Sequence, residues 1–491
     1  MKNITDEHQD FKSFETKLFQ IMSQIACELI RQYLVWRDLG IMGTRDKKRY
    51  RLIDIRDSTI KTLFGEVPYS RRYYKDTEAG MYVFLLDMAM HIDCGYGLFS
   101  ENLAEHIVHQ CADKPFRKAA ASISGITGQS VTAMGAWTVV QQYGAAIEAQ
   151  EWRLVELYES GSVGHLGGIH SNVLFDEYDD VWINRQRERR RAPGTVAKGA
   201  KKIGKKPGKL PMHVGTAYTG WEQSNDGRFN TVDKMAYASF GKSSAFRAMF
   251  GTLLNHRFDM DGIEHRFTNG DGESWIRTEA EENDSTLQLD PFHRSQAIIR
   301  AVSDKSDRKL LFGAIDKKDV DKVLASVCEM AMDAQDEKEQ KKLTKLYGYF
   351  YSNRDSFLTW KERGIELPIP PDGVSYREMG VQESSNCLIT QRMKHRRGSW
   401  SENGANNMAK ILCFRSTIGL DAILGAFPEP EPIEAFAEPL SAAKAPTHDG
   451  KGYGADWLHA PMPFEEAFRT HGREAIRGML RQKPVSGLHF I

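Results

Sequence analysis

The stretch Asn269-Gly270-Asp271-Gly272-Glu273-Ser274-Trp275-Ile276 holds one aspartate between two glycines, directly after a short strand predicted over Ile263–Thr268. Glycines at the end of a strand permit a tight turn and the close approach of another segment. They also leave the carboxylate exposed, which makes it a candidate metal ligand. An ordinary Asx-type turn would give the same pattern. The choice between the two depends on two other acidic segments of the chain.

The first of these segments is Leu174–Ile183, whose aromatic and β-branched residues favour a strand. Strand alternation puts Phe175, Glu177, Asp179 and Val181 on one face. Four of five successive positions carry a carboxylate, namely Asp176, Glu177, Asp179 and Asp180. Burying them would be costly unless something neutralised them, and a divalent cation would do so. An exposed acidic edge strand is the alternative.

The second segment is Met379–Lys394, which we interpret as a helix. Glu383 and Lys394 would then lie on the same face, about three turns and roughly 16 Å apart. That face could offer a metal ligand and a phosphate contact. The alternative for Glu383 is an ordinary acidic residue favoured by the helix macrodipole. A capping box at Ser399–Glu402 predicts a further helix that ends near Phe414.

The predicted elements between these segments follow the order strand, strand, strand, helix, strand, strand, helix, which is that of a ribonuclease-H-like fold. They are the strand within Leu174–Ile183, Leu210–Tyr218, a strand within Arg228–Ala236, the helix Ser243–Asn255, the strand before Asp271, Thr286–Asp290 and a helix from Pro291. His293 could be a metal ligand or a cap partner, and a structural histidine is the preferred interpretation. The charged helical block after residue 304 is predicted to be an insertion, with apolar lines Val320, Val323, Leu324, Val327 and Leu343, Leu346, Tyr347, Phe350.

The N-terminal segment, residues 8–36, is predicted to be one long helix with an apolar stripe. The stripe is Phe11, Phe14, Leu18, Met22, Ile25, Leu29 and Tyr33. It suits either the protein core or a partner helix. Core packing is preferred, because coiled coils usually carry stricter heptads.

A hairpin is predicted next, with Tyr50–Arg56 and Val67–Tyr74 pairing across Phe64–Glu66. Arg71, Arg72 and Tyr74 mix cations with an aromatic ring, which suits contact with phosphates and bases. A solvated hairpin face is the alternative. Helices predicted from Met81 to Tyr143, with a turn at Ser124–Ser130, have the outline of a helix-turn-helix, which is also common in proteins that do not bind DNA.

A basic, glycine-rich segment at residues 185–209 leaves the acidic strand. Its cations include Arg189, Arg190, Arg191, Lys201, Lys202, Lys205 and Lys206. We interpret it as a loop that binds phosphates and becomes ordered on nucleic acid. A solvated linker without a specific ligand is the alternative.

The whole chain has 491 residues and a formal net charge of zero, so two to four domains are expected and overall charge indicates no partner. Its six cysteines form no CxxC pair, which argues against a zinc ribbon or disulfide framework and favours a reducing compartment. No secretory signal and no membrane-spanning apolar run are evident. We therefore expect a cytoplasmic protein with no membrane partner.

These motifs together resemble the ISLre family of bacterial insertion-sequence transposases over about residues 10–415. The matching segments are Phe64–Val67, Arg71–Tyr74, Glu177–Asp179, Gly270–Ile276, Leu289–His293, Gln391–Lys394 and Trp400–Ala405. The resemblance implies an acidic triad of Asp179, Asp271 and Glu383 that binds Mg²⁺ or Mn²⁺. Asp180 stands where the family usually has glycine, so Asp176 and Asp180 remain alternatives to Asp179.

The activity implied is metal-dependent DNA cleavage and strand transfer, with insertion-sequence ends and target DNA as partners. Lys394 and Trp400 join the predicted nucleic-acid contacts. The resemblance also implies a homodimer or higher oligomer on DNA, associated with the nucleoid. A non-catalytic DNA-binding protein derived from a transposase, or a ribonuclease-H-like nuclease without strand transfer, are the alternatives.

The predicted fold class is therefore α+β and multidomain, with a ribonuclease-H-like α/β catalytic core that carries a helical insertion. An α-helical, helix-turn-helix-like DNA-binding region precedes the core. The predicted segments are an N-terminal helix (1–45), a β-hairpin (46–80), the helical DNA-binding region (81–150), the first part of the core (170–303), the helical insertion (304–375), the last part of the core (376–418) and a proline-rich linker with a C-terminal tail (427–491).

Overall fold

A computed structural model describes residues 10–92, 98–161, 167–186, 208–394 and 398–418. The chain divides after Gln142 into two compact units. Both contain helices and strands, so the fold is mixed α and β. Among the described helices, none combines the length and the apolar character that crossing a membrane requires.

The first unit contains a long helix, a three-stranded antiparallel sheet and shorter helices. Its elements are α1 (Phe11–Thr44), β1 (Tyr50–Lys61), β2 (Glu66–Asp76), β3 (Tyr82–Val83), α2 (Leu85–Ala89), α3 (Glu101–Asp113), α4 (Phe116–Thr127) and α5 (Ala133–Glu159), which continues into the second unit. The predicted hairpin is confirmed, because β1 pairs antiparallel with β2 up to Lys61 opposite Glu66.

The turn predicted at Ser124–Ser130 is shorter than expected. Helix α4 continues through Ser124 and ends before Gly128, which takes a left-handed φ of 69°. Glycine is the residue that adopts this conformation at no steric cost, so it determines where the helix stops. Helix α5 then runs to Glu159, well beyond the predicted end at Tyr143.

The prediction that the apolar stripe of α1 packs into the core is wrong. Helix α1 does bury one face, with Leu34, Asp38 and Ile41 against the hairpin. The stripe lies on nearly the opposite face, and Phe11 and Met22 in it are 76% and 53% exposed. Spacing of three and four residues identifies a helical face, but it does not say which neighbour covers that face.

The second unit contains the larger sheet. Its elements after α5 are β4 (Val173–Asn184), β5 (Lys209–Tyr218), β6 (Gly220–Gln223), β7 (Phe229–Val232), β8 (Met235–Ser239), α6 (Ser243–Arg257), β9 (His265–Gly270), α7 (Ser274–Glu282), β10 (Thr286–Leu289), α8 (Pro291–Ala301), α9 (Lys305–Asp316), α10 (Val320–Asp333), α11 (Glu337–Ser352), β11 (Val374–Ser375), α12 (Gln382–Met393) and α13 (Glu402–Ile418).

The five-stranded sheet has the order β10-β9-β4-β5-β8. Strand β4 is central, antiparallel to β5 and parallel to β9. The predicted succession of strands and helices is observed with two corrections. The third strand of the sheet is β8, because the segment predicted for it is split between β7, which pairs with β6 in a separate small sheet, and β8. Helix α7, between β9 and β10, was not predicted.

The two faces of β4 pack against different partners, as strand alternation requires. Phe175 stacks with Tyr218 and Phe267 on one face. Tyr178 packs edge-on against Phe250 of α6 on the other. Packing on both faces fixes β4 in the centre of the unit, and with it the positions of the carboxylates that β4 carries.

The helical block after residue 304 forms its own apolar cluster. Six of the eight residues predicted to line it are buried there, and Val320 and Tyr347 are partly buried against the same cluster. Pro291 is the first residue of α8, as predicted, and Asp290 caps that helix rather than ending the strand. Tyr349 and Asn353, at the end of this block, reach the turn that carries Asp271.

Candidate active site

Asp179 lies on β4, and Asp271 directly follows the neighbouring parallel strand β9. The register pairs Val173 with His265 and Glu177 with Asn269. Asp179 and Asp271 each lie two residues beyond that last pair, with Asp271 in the turn that follows the end of β9 at Gly270. Burial raises the pKa of the Asp271 carboxyl, and the negative charge of Asp179 raises it further. The structure therefore brings these two predicted ligands together.

Asp179 receives two hydrogen bonds. Asn386 Nδ2 of α12 donates to its Oδ2 (2.6 Å), and the Asp180 backbone N–H donates to its Oδ1 (2.8 Å). Burial raises the pKa of Asp179, while a charge on His293 and the Asn386 hydrogen bond oppose that rise. The carboxylate is thus partly buried with only neutral hydrogen-bond donors attached to it.

The other carboxylates of β4 have protein partners of their own. Asp176 accepts from Arg266 Nε (2.5 Å) and from Thr268 Oγ1 (2.6 Å). Asp180 Oδ1 lies 2.6 Å from His213 Nδ1. Protein partners therefore compensate Asp176 and Asp180 without a cation, and a cation at the remaining carboxylates stays a prediction. This pattern favours Asp179 over Asp176 and Asp180 as the candidate ligand.

Glu177 is buried and accepts hydrogen bonds from five donors. Three are successive backbone N–H groups at the start of α12, those of Gly380 (3.0 Å), Val381 (2.9 Å) and Gln382 (3.2 Å). The others are Asn269 Nδ2 (3.0 Å) and the Tyr218 hydroxyl. A carboxylate at a helix N-terminus satisfies donors that have no partner within the helix. Glu177 therefore fixes the N-terminus of α12 on β4.

The turn at Asp271 has the Asx geometry and the close approach of another segment that its sequence predicts. The Glu273 backbone N–H donates to Asp271 Oδ1 (3.0 Å), which is an Asx turn. Gly272 has φ of 88°, and a Cβ there would come within 2.6 Å of the Asn353 side chain. Both glycine properties, a left-handed backbone and close approach, are used at this position. Asp271 Oδ2 makes no hydrogen bond to any residue in the described part of the chain.

Glu383 is exposed in the first turn of α12. Within the described ranges it makes no ion pair, and no group of three His, Cys, Asp or Glu side chains could hold a metal ion. The structure therefore does not bring the Glu383 carboxylate into contact with Asp179 or Asp271. Its role as the third ligand stays a prediction.

The hairpin residues predicted to bind nucleic acid are used inside the first unit. Arg71 pairs with Asp87 and lies 3.7 Å from the centre of the Phe84 ring. Arg72 pairs with Asp38, and Tyr74 is completely buried. The prediction that Tyr74 stacks on nucleic-acid bases is wrong, because Tyr74 lies on the face of β2 that is turned towards the core.

The predicted contact between Trp400 and nucleic acid is wrong for the same reason, burial. It is buried, and its Nε1 donates to the Met393 carbonyl (3.0 Å), so it joins the start of α13 to the end of α12. Lys394 is exposed at the end of α12. The remaining predicted contacts, Arg189, Arg190, Arg191, Lys201, Lys202, Lys205 and Lys206, lie outside the described residues.

Sequence reasoning missed Asn386 and His213. Asn386 follows Glu383 by three residues, so the helical spacing already places both on neighbouring parts of one face. His213 has no local signal, because its contact with Asp180 depends on the β4–β5 register, which pairs these two residues. Residues that arrive through strand pairing can be found only once the register is known.

Fold and site together define a mixed α/β protein with one aspartate on a central strand, a second directly after the neighbouring parallel strand, and a helix anchored beside them. The chain belongs to the family described as "Uncharacterised protein family (UPF0236)", whose model matches residues 4–423.

Two relatives are similar over most of their length. A UPF0236 protein in the vanSb 3' region of Streptococcus gallolyticus is 23% identical over 421 residues, 83% of each chain. A UPF0236 protein of Caldanaerobacter subterraneus subsp. tengcongensis, whose name joins eleven locus designations, is 20% identical over 408 residues, 82% of this chain and 77% of the relative.

Two solved structures are similar at a much lower level. The Mos1 strand transfer complex is 9% identical, with 53% of this chain and 79% of that chain covered and a TM-score of 0.13. A pre-cleavage Mos1 transpososome is 10% identical, with 52% and 78% covered and a TM-score of 0.12. Scores of this size do not establish a shared fold.

Proposed function

We propose that this protein is a DNA transposase that cleaves and joins DNA strands at the ends of its own insertion sequence. The observation that carries the proposal is that Asp179 on β4 and Asp271, directly after β9, are near enough for the charge of one to raise the pKa of the other. The two strands are neighbours in a sheet of order β10-β9-β4-β5-β8. Strand β5 alone runs antiparallel to the central β4, while β8, β9 and β10 run parallel to it, which is the arrangement of a ribonuclease-H-like core. The motifs that resemble those of ISLre transposases support the finer assignment.

The donor set fits a hard divalent cation. Asp179 and Asp271 offer carboxylate oxygens, which suit Mg²⁺ or Mn²⁺ better than zinc. Burial raises the pKa of both groups, so a bound cation would relieve an existing cost. Asp179, Asp271 and Glu383 would hold the ions, which when bound supply charge stabilisation for phosphoryl transfer.

The chain's own residues position this site. Glu177 fixes the first turn of α12, and Asn386 in its second turn orients Asp179. Glu383 lies one helical turn before Asn386, within reach of the same region by a change of side-chain rotamer. Tyr349 donates to the Asp271 carbonyl (2.7 Å) and holds the turn in place.

The name of one relative is in keeping with a mobile genetic element. A protein name that joins eleven locus designations in one strain is in keeping with a gene present in many copies. Transposition produces such copies. The matching observation for this chain would be inverted repeats in the DNA just outside its coding region.

The test compares Asp271→Asn with the wild-type chain. Asparagine keeps the Asx turn but removes a charge from the metal site, so cleavage in Mg²⁺ should fall by orders of magnitude while DNA binding survives. The substrate is a DNA fragment with the coding region and its natural flanks. Asp372→Asn, an exposed loop position, is the control for loss of one negative charge. Equal cleavage by Asp271→Asn and wild type would remove Asp271 from the site.

A non-catalytic DNA-binding protein is the second candidate. It is favoured by the exposure of Glu383 and by the lack of a three-ligand group in the described part of the chain. Tight binding without cleavage by wild type and both variants would support it. Cleavage without joined products would instead indicate a ribonuclease-H-like nuclease.

A further inference from the structure

The N-terminal helix α1 presents a long apolar stripe that its own chain leaves exposed. The first ten residues of α1, Phe11–Gln20, are all exposed. The exposed apolar residues of the stripe are Phe11 (76%), Phe14 (43%), Leu18 (44%), Met22 (53%), Leu29 (43%), Tyr33 (47%) and Trp36 (51%), with Ile25 half-buried between them. Isolated helices gain most of their stability from packing an apolar face, so a projecting helix with such a face indicates a partner.

The spacing of the stripe is regular. Its eight residues follow each other at steps of 3, 4, 4, 3, 4, 4 and 3 from Phe11 to Trp36. This is an eleven-residue repeat, so the stripe lacks the seven-residue spacing that is typical of left-handed coiled coils. An eleven-residue repeat, at about 3.67 residues per turn, keeps an apolar seam facing a second helix with a slight right-handed supercoil.

The order of these steps is the same in both directions. We infer that α1 pairs with α1 of a second copy of this chain in antiparallel orientation. Each stripe residue then meets a stripe residue of the other copy. The pairs are Phe11 with Trp36, Phe14 with Tyr33, Leu18 with Leu29 and Met22 with Ile25, each formed twice about a twofold axis.

The ends of the stripe support this pairing. Phe11 and Phe14 lie with ring centres 6.4 Å apart at one end, and Tyr33 and Trp36 lie 5.9 Å apart at the other. Antiparallel pairing sets the two rings of one end against the two rings of the other. Four aromatic rings would thus meet at each end, and aromatic residues are enriched in the centres of stable interfaces.

The charges beside the stripe are compatible with self-association. Glu28 already pairs with Arg31 of the same helix (2.6 Å), so covering the stripe leaves neither of these two charges without a partner. The opposite face of α1 packs on the hairpin of its own unit, so the stripe can be covered without disturbing that contact. Half-exposed side chains of this size offer roughly 700 Å² per chain, close to the share of one partner in a standard interface.

The experiment measures the mass of the full-length chain in solution by light scattering after size exclusion, over a range of concentrations. Wild type should be a dimer. Leu18→Glu places a carboxylate opposite Leu29 at two symmetric positions and should weaken the dimer by at least on the order of 100-fold. Gln20→Glu, two residues away on the opposite face, adds the same charge and should leave the dimer unchanged.

The orientation has its own test. Leu18→Glu combined with Leu29→Lys sets opposite charges against each other only in the antiparallel pair, so the double variant should recover the dimer. In a parallel pair each introduced charge would face the same charge on the other copy, so the double variant would stay monomeric. Thermal unfolding should be unchanged for Leu18→Glu compared at equal monomer content, since Leu18 lies in the stretch with no buried residue.

Three results would overturn the inference. They are a monomeric wild type at tens of micromolar, dissociation by Gln20→Glu as readily as by Leu18→Glu, and a double variant that stays monomeric. None of them bears on cleavage at Asp179 and Asp271, so the proposed function stands or falls separately.

Discussion

Glu279 of α7 shows how one buried residue can make stability depend on pH. Its Oε1 accepts from Asn283 Nδ2 (2.9 Å) and lies 3.4 Å from Arg266 Nη2. Arg266 is shared with Asp176, whose negative charge lies close by. Burial, reinforced by Asp176, raises the pKa of Glu279 to about 7. Between about pH 4.3 and pH 7, Glu279 therefore carries a proton in the folded protein but not in the unfolded chain.

The sign of the effect follows from this difference. A raised carboxyl pKa stabilises the folded state fully below the unfolded value, near 4.3, and this stability is lost as pH rises to about 7. Glu279→Gln mimics the protonated form at every pH. We expect its free energy of unfolding to gain on that of wild type between pH 5 and pH 7.5, by at most about 3 kcal/mol. Urea unfolding of both proteins at the two pH values measures this, and parallel pH profiles would contradict it.

Helix α12 illustrates how an element is placed by a residue distant in sequence. No face of the helix is distinctly apolar. Its N-cap residue, Val381, makes no side-chain hydrogen bond to the first turn. Glu177 of β4 takes over that task through the three backbone N–H groups. The position of α12 therefore depends on one carboxylate about 200 residues earlier in the chain.

Replacing Glu177 by glutamine tests this dependence. All five groups that face the carboxylate are donors, so the glutamine NH₂ would meet donors and leave at least two of them unsatisfied. We expect Glu177→Gln to lower the free energy of unfolding by about 2–4 kcal/mol and to increase hydrogen exchange in the first turn of α12.

Glu222→Gln, at an exposed position on β6, is the matched control and should change stability by less than about 0.5 kcal/mol. If Glu177→Gln is as stable as this control, Glu177 does not anchor α12.

For the whole molecule, the distribution of charge matters more than its sum. The formal net charge is zero, yet residues 185–209 concentrate arginine and lysine. A protein without overall positive charge needs such a local segment to bind the phosphate backbone. We therefore propose that this segment makes the main nucleic-acid contact of the proposed transposase.

Alanine at Arg189, Arg190 and Arg191 should weaken binding to all DNA sequences alike. The slope of log affinity against log salt should become shallower by about 0.9 for each phosphate that the variant no longer neutralises. Filter binding at several salt concentrations measures the slope. Alanine at Lys305, Lys309 and Lys317, exposed in the helical block, removes the same charge and should leave the slope unchanged. Equal slopes for both triple variants would exclude the arginines as phosphate ligands.

Local patterns in the sequence determined most of the elements and several of their details. Alternation set Glu177 and Asp179 on one face of β4, Pro291 marked the start of α8, and apolar spacing outlined α1. These features depend on neighbours within a few residues, where backbone geometry and side-chain periodicity act directly. The same patterns could not say which face of α1 its own chain would cover.

Tertiary structure alone decided which acidic residues are compensated and which side chains are buried. Asp176 is paired with an arginine 90 residues away and Asp179 with an asparagine 207 residues away. The pairing of β4 with β9, which brings Asp271 near Asp179, and the burial of Tyr74 and Trp400 likewise arise only when distant segments pack. Electrostatic cost and exposure are sums over all surrounding atoms, and most of those atoms belong to residues that no local window of sequence contains.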